Sequence, residues 1–113
     1  MSEPSSPTIA QDDALRVVLE RLIEHYAPLE VSLFGSRYRG DYKDSSDWDL
    51  LVLVPDDAGD EVFDPYLAWE ISRDCGIHVD IVVECIGDFY GSVGVANSLA
   101  REIVNERRIL HRR

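Results

Sequence analysis

The sequence predicts a small domain of the α/β (α+β) class, in which helices pack on a mixed β-sheet. Apolar residues recur at helical spacing over residues 15–26 and 67–75, whereas residues 50–54 and 77–83 are aliphatic runs typical of strands. A chain of 113 residues is long enough for one modest hydrophobic core. Helices and strands that alternate along one such chain favour helices covering a sheet.

The first helix is predicted from its start signals. Thr8 and Gln11 form a capping box, and Asp12 and Asp13 place negative charge in the first turn, where the helix dipole favours it. Pro28 ends the apolar stripe that follows. We therefore expect one helix that covers the sheet.

Two strands are predicted next. Residues 31–34 form a short strand that stops at Gly35, after which Ser36 is placed to cap a helical turn. The apolar run at residues 50–54 is continuous rather than alternating, and Pro55 ends it. Such a run predicts a strand that is covered on both faces.

A second helix is predicted from Asp64 as N-cap and Pro65 at the first helical position to a stop at Gly76. Its buried stripe includes Cys75. The remaining predicted elements are a third strand over 77–83, a third helix over 97–106 and a short edge strand over 108–111.

Composition narrows the functional classes. A net charge of -11 argues against broad affinity for nucleic acid, because such binding depends on cations that displace counterions from phosphates. The sequence offers no run long and apolar enough for a membrane span and no signal-peptide pattern, so we expect a cytoplasmic protein. Cys75 and Cys85 are expected to be reduced and buried. Residues 1–7 are predicted to be a disordered tail, and residues 8–113 the folded domain.

Three aspartates form the main candidate site. In an extended chain Asp47 and Asp49 point to one face, while Trp48 points to the other. Asp80 lies in the middle of the third predicted strand, where a bare charge is costly to bury. If that strand pairs beside the second, one register brings the three carboxylates together. Each pair about 4 Å apart would repel by roughly 4 kcal/mol at an effective dielectric near 20, and a divalent cation would remove this penalty.

Magnesium suits such oxygen ligands and completes its shell with water and substrate phosphates. Two Mg²⁺ ions held by shared aspartates can support an in-line displacement at phosphorus. Gly35 and Ser36 would let the backbone approach a phosphate, and Arg37, Arg39 and Lys43 could neutralise a triphosphate. For Arg37 and Arg39, ion pairing with the neighbouring carboxylates is an equal alternative.

Two other motif assignments are excluded by missing residues. Gly35 and Gly40 have P-loop spacing, but no lysine follows, so there is no Walker A motif. A calcium loop is excluded because the later ligands are missing. Trp48, Trp69 and Tyr66 are expected to be packing residues, with stacking on a base as the alternative.

The Gly35-Ser36 pair, ten intervening residues and Asp47-Trp48-Asp49 resemble the G-S-x10-D-x-D signature of the DNA polymerase β-type nucleotidyltransferase superfamily. The segment is most similar to its minimal nucleotidyltransferases, which are often antitoxins encoded beside a HEPN-domain toxin. The resemblance implies the nucleotidyltransferase fold, with Asp47 and Asp49 binding both metals, Asp80 completing the site and Gly35-Ser36 holding the triphosphate of ATP.

The resemblance further implies Mg-dependent transfer of AMP, or another nucleoside monophosphate, to a hydroxyl of a partner protein. The partner would be a HEPN toxin, or another helical protein, that the antitoxin silences by modification (AMPylation). Two alternatives stay open: a non-catalytic module that masks its partner, and a transferase that modifies a small molecule, as aminoglycoside-modifying relatives do. Assembly into a homo-oligomer is left open as well.

Overall fold

The structure is a computed structural model that describes residues 7–113, with side chains from Asp13 onward. The first helix begins at Pro7, the last residue of the predicted tail. The rest of that tail and the side chains of Thr8, Gln11 and Asp12 lie outside the described residues.

Four strands form one mixed sheet in the order β3-β2-β1-β4. β2 is parallel to β3 and antiparallel to β1, which pairs antiparallel with β4. The predicted fold class is therefore confirmed. The strands are β1 (Glu30–Phe34), β2 (Trp48–Val54), β3 (Val79–Cys85) and β4 (Arg107–Arg112).

Five α-helices and one 3-10 turn (Asp60–Phe63) complete the described chain. The aspartate cap predicted for the second long helix is present, because the side chain of Asp64 accepts a hydrogen bond from the backbone N–H of Tyr66. The helices are α1 (Pro7–Tyr26), α2 (Ser36–Arg39), α3 (Pro65–Ser72), α4 (Ile86–Gly91) and α5 (Leu99–Ile103).

Strand β2 is buried on both faces, as its continuous apolar run predicted. One hydrophobic cluster joins one face of β2 to α1 and α3, and the other joins the opposite face to α4 and α5. Side chains of β2 alternate between the two clusters, so Leu50 and Val52 face α1 while Leu51 and Leu53 face α4. The sheet is thus the middle of three layers.

Some predicted boundaries were wrong. Helix α3 ends at Ser72 rather than near Gly76, because Arg73 is extended and Asp74 and Gly76 both have positive φ. The third helix covers Leu99–Ile103 only, since the side chain of Ser98 caps it at its N-terminus. The unpredicted helix α4 forms where Phe89 docks into the core despite nearby glycines.

The described residues include no helix long and apolar enough to cross a membrane. Cys75 and Cys85 are both free thiols. Each is half-buried rather than fully buried. Both thiols face the cluster on the α1 side of the sheet, where they act as small apolar groups.

Candidate active site

The three aspartates lie at one end of two neighbouring strands. The predicted pairing of the third strand beside the second is present, and its register places Asp49 directly beside Asp80. Asp47 comes two residues before Asp49, just before β2 begins. Trp48 points to the opposite face, where it is buried in the α1-side cluster. This end of the sheet therefore concentrates negative charge on one face.

The charge of this group is costly for Asp49. Burial raises the pKa of Asp49 above its usual value, and the carboxylates of Asp80 and Asp47 raise it further, while Arg39 lowers it. All three causes of the increase act on the charged form, which is disfavoured by desolvation and by like charges nearby. A cation placed among these carboxylates would remove both penalties.

Gly35 packs directly against Asp49 from the neighbouring strand. It follows β1 with a φ of 76°, and the last residue of β1 pairs with Asp49. A Cβ built on Gly35 would overlap Oδ2 of Asp49. The position therefore requires glycine for its backbone conformation and for its space. The carbonyl of Gly35 accepts hydrogen bonds from the backbone N–H groups of Tyr38 and Arg39, which begins α2.

Strand order gives the site a direction. Because β2 lies between β3 and β1, Asp49 has Asp80 on one side and Gly35 on the other. Ser36, the first residue of α2, follows Gly35 on the same side. Two chemically different edges thus flank Asp49, one acidic and one formed by glycine and serine.

For Arg37 the sequence left phosphate binding and ion pairing open, and the structure buries its side chain. It is only 7% exposed, and its guanidinium lies 4.4 Å from the ring centroids of both Tyr42 and Trp48. It donates hydrogen bonds to the carbonyls of Asp44 and Ser46. This placement favours a structural role, in which Arg37 holds the loop that leads to Asp47.

Arg39 has a different environment. Its side chain is half exposed and pairs with Asp41 at 3.3 Å, as the ion-pairing alternative expected. It also lies close enough to Asp49 to lower the pKa of that carboxyl. Of the two arginines, Arg39 is the one placed to meet an anion at the site.

Two clefts open beside the aspartates. On the Asp80 side, a cleft of about 710 Å³ runs between the end of α3 and the start of β3. On the Gly35 side, a cleft of about 310 Å³ is lined by Arg39 and by residues of β1 and α5. We call them the α3 cleft and the α5 cleft. The α3 cleft is lined by Asp47, Trp69, Arg73, Asp74, His78 and Asp80, among others.

The expectation that Trp69 and Tyr66 are packing residues was wrong. They are 53% and 58% exposed, with ring centroids 5.4 Å apart, whereas Trp48 is buried as expected. The predicted buried stripe of this helix, which includes Leu67 and Ile71, already places positions 66 and 69 on the opposite face. Helical periodicity could therefore have identified both as surface residues.

The donor set fits magnesium. Asp47, Asp49 and Asp80 offer carboxylate oxygens alone, which hard divalent cations prefer. In the described part of the chain, no three such ligands already converge on one point. The carboxylates of Asp80 and Asp47 disfavour the charge of Asp49, and a cation bound among them would reverse this effect. The residues present are thus suited to hold a divalent ion.

Comparison with known proteins gives one family. A model described as "Nucleotidyltransferase domain" matches residues 15–110. A bifunctional uridylyltransferase/uridylyl-removing enzyme of Burkholderia mallei (strain SAVP1) is 34% identical over 112 residues. That match includes 91% of this chain but only 13% of the enzyme, so the chain corresponds to a small part of this relative. A Burkholderia pseudomallei (strain K96243) enzyme with the same description matches equally.

Solved structures with the same fold support this assignment. A nucleotidyltransferase-family protein from Sulfolobus solfataricus aligns with a TM-score of 0.58 and 25% identity, over 100% of this chain and 93% of its own. A toxin-antitoxin structure with AMP-PNP aligns with a TM-score of 0.59 and 22% identity, over 85% of this chain and 72% of the other. At this identity the second similarity concerns the fold alone.

Proposed function

Because the chain belongs to the nucleotidyltransferase domain family, we propose that it transfers a nucleoside monophosphate from a Mg-bound triphosphate to a hydroxyl group. The single observation that carries the proposal is the register that sets Asp49 between Asp80 and Gly35. Carboxylates beside a glycine turn are the parts that this chemistry needs, because it requires a cation site next to a place for phosphates.

Each residue has a proposed role. Asp47 and Asp49 hold the cations, Asp80 completes their shell and accepts the proton of the attacking hydroxyl, and Gly35-Ser36 adjoins the leaving phosphates. When bound, Mg²⁺ would neutralise the triphosphate and make its α-phosphorus more electrophilic. Arg39 adds positive charge on the glycine side, whereas Arg37 acts indirectly by supporting the loop that carries Asp47.

We further propose that ATP is the donor and that the acceptor is a partner protein, with this chain acting as an antitoxin in the cytoplasm. The toxin-antitoxin neighbour with AMP-PNP supports this reading, as does the resemblance to minimal nucleotidyltransferases. A HEPN toxin is the expected partner. Uridylyltransferase relatives make UTP the alternative donor, so both nucleotides belong in the test.

The test is the intact mass of a candidate partner co-expressed with this protein. Incubation with Mg²⁺ and ATP or UTP should add one or more nucleotide units with the wild type, and none with Asp47→Ala/Asp49→Ala. Asp57→Ala/Asp60→Ala removes the same number of exposed carboxylates beyond the other end of β2 and is the control variant. The partner could instead stay unmodified and yet be bound and inhibited equally by the wild type and the double variant. That result would show that this protein is a masking module rather than an enzyme.

A further inference from the structure

The α3 cleft opens beside Asp47 and Asp80, and the proposed chemistry leaves it unassigned. We infer that it receives the acceptor, a hydroxyl carried on a basic segment of a protein. The inference rests on the proposed function and adds the side from which the acceptor enters and the chemistry that recognises it.

The order of the strands indicates the side from which the acceptor hydroxyl approaches. In an in-line displacement the attacking and leaving oxygens lie on opposite sides of phosphorus. With the leaving phosphates against Gly35-Ser36, the hydroxyl must approach Asp49 from the Asp80 side. The cleft lined by both Asp47 and Asp80 opens on that side. The acceptor oxygen then forms a bond to the α-phosphorus as the bond to the β-phosphate oxygen breaks, pyrophosphate leaves, and the hydroxyl proton passes to Asp80.

Recognition comes from the walls of the cleft. Trp69 is half exposed at the edge of the cleft, beside Tyr66 and with the guanidinium of Arg73 5.2 Å from its ring centroid. Trp, Tyr and Arg are the residues that most often dominate protein interfaces. An exposed pair of large aromatics next to a cation-binding site is therefore suited to a macromolecular acceptor.

Charge decides which segment fits. Asp47, Asp74 and Asp80 line the cleft against Arg73, which itself pairs with Asp74 at 3.4 Å. The whole chain carries a net charge of -11. An acidic segment would be repelled here, whereas lysines and arginines around the acceptor hydroxyl would be attracted.

The side of entry can be tested with acceptors built into the protein. Arg73→Tyr places a phenol in the α3 cleft, and Glu102→Tyr places one in the α5 cleft. With MgATP, peptide mass spectrometry should find AMP on the tyrosine introduced at position 73 and none at 102. Labelling at 102, or at neither position while pyrophosphate is still released from MgATP, would overturn the inference. If the wild type itself neither binds MgATP nor releases pyrophosphate, the proposed function fails instead.

The acceptor class is tested with synthetic probes. One peptide carries a tyrosine and a serine flanked by lysines and arginines. The matched second peptide has glutamate in place of each lysine and arginine. We expect about tenfold faster AMP transfer to the basic peptide. Trp69→Ala should raise the KM for that peptide about tenfold, while Phe63→Ala, an exposed aromatic outside the cleft, should not change it. Transfer to an aminoglycoside but to neither peptide would make the acceptor a small molecule and overturn this part.

A binding measurement tests whether the nucleoside of the nucleotide, rather than the acceptor, binds in the α3 cleft. Trp48 is 7% exposed and Trp69 53%, so acrylamide quenching of fluorescence reports mainly on Trp69. A saturating non-hydrolysable ATP analogue with Mg²⁺ should leave this quenching unchanged, and the basic peptide should reduce it. Protection by the analogue alone would place the base on Trp69 and overturn the inference.

Discussion

Gly35 leaves no room for a side chain against Asp49. A Cβ at Gly35 would overlap Oδ2 of that carboxylate and lie 3.1 Å from its Cγ. Gly40 also has a positive φ, 89° against 76°, but its ψ of 0° is left-handed, whereas the ψ of -155° at Gly35 lies in a region that essentially only glycine adopts. No atom lies within 4 Å of the Cβ position of Gly40. The two glycines therefore differ in backbone strain and in the space that a side chain would have.

Gly35→Ala should unfold more easily than Gly40→Ala and should lose activity. Gly40→Ala costs about 1–2 kcal/mol for a left-handed backbone. Gly35→Ala costs more, because its backbone region essentially excludes other residues and because the new Cβ overlaps Asp49. Displacement of that carboxylate should lower nucleotide transfer about 100-fold. Urea denaturation and transfer assays on both variants measure this difference. Equal activity in the two variants would show that the contact with Asp49 is unimportant.

Asp49→Asn should make the metal-free protein more stable while it abolishes transfer. The pKa of Asp49 is raised by burial and by Asp80 and Asp47, so its charged form is disfavoured in the folded state at neutral pH. Removing that charge should raise the free energy of unfolding by about 1 kcal/mol. Urea titration at pH 7 with a chelator tests it, with the exposed Asp57→Asn as the control. A less stable Asp49→Asn would mean that the carboxylates do not oppose folding.

Arg37→Lys should destabilise the fold although it keeps the charge. A lysine cannot donate to the carbonyls of Asp44 and Ser46 while stacking between two rings, so we expect a loss of about 2 kcal/mol. Arg39→Lys changes a half-exposed ion pair and should cost less than about 0.5 kcal/mol. Thermal denaturation of both variants gives the comparison, and similar melting temperatures would argue against a structural role for Arg37.

Glu30 joins two arginines of β4 that differ in burial. Arg107 is 8% exposed and bonds Glu30 at 3.2 Å, while Arg112 is 56% exposed and bonds it at 3.4 Å. Arg107→Ala leaves a buried charge without this partner and should cost about 3 kcal/mol. Arg112→Ala should cost less than about 1 kcal/mol, because water screens that pair. Chemical denaturation of the two variants tests the ranking, and the reverse order would refute it.

Glu84→Gln should stabilise the protein at neutral pH but not in acid. Burial, followed by the charge of Asp88, raises the pKa of Glu84 in the folded state. The protonated form therefore favours folding below the usual glutamate range, and this stability is lost as pH rises through the raised pKa. At pH 7 glutamine removes the penalty of the buried charge, so the variant should melt at a higher temperature.

The control for this pH dependence is Glu20→Gln, at an exposed position of α1. Melting temperatures measured from pH 3.5 to pH 8 should converge for wild type and Glu84→Gln at the acidic end. The melting temperatures of the wild type and of Glu20→Gln should differ little over the whole pH range. A gain that persists in acid would come from packing or hydrogen bonding rather than from charge.

The sequence by itself determined the class of fold and singled out the residues that we propose for the chemistry. A strand with a continuous apolar run buries both faces only if other elements pack on each side of its sheet, and β2 is buried on both faces. Residues two apart in a strand share a face, so Asp47 and Asp49 could be paired without a structure. The cap at Asp64 is similarly local, because it depends on neighbours along the chain.

Only the tertiary structure decided the features that depend on distant contacts. The register that sets Asp49 beside Asp80 depends on how two strands slide past each other, which the residues of neither strand specify alone. The burial of Arg37 depends on two rings and a loop that close around it, and the pair between Glu30 and Arg107 joins residues 77 positions apart. Such contacts form only when the whole chain folds, because each gains its energy from groups that the local sequence does not contain.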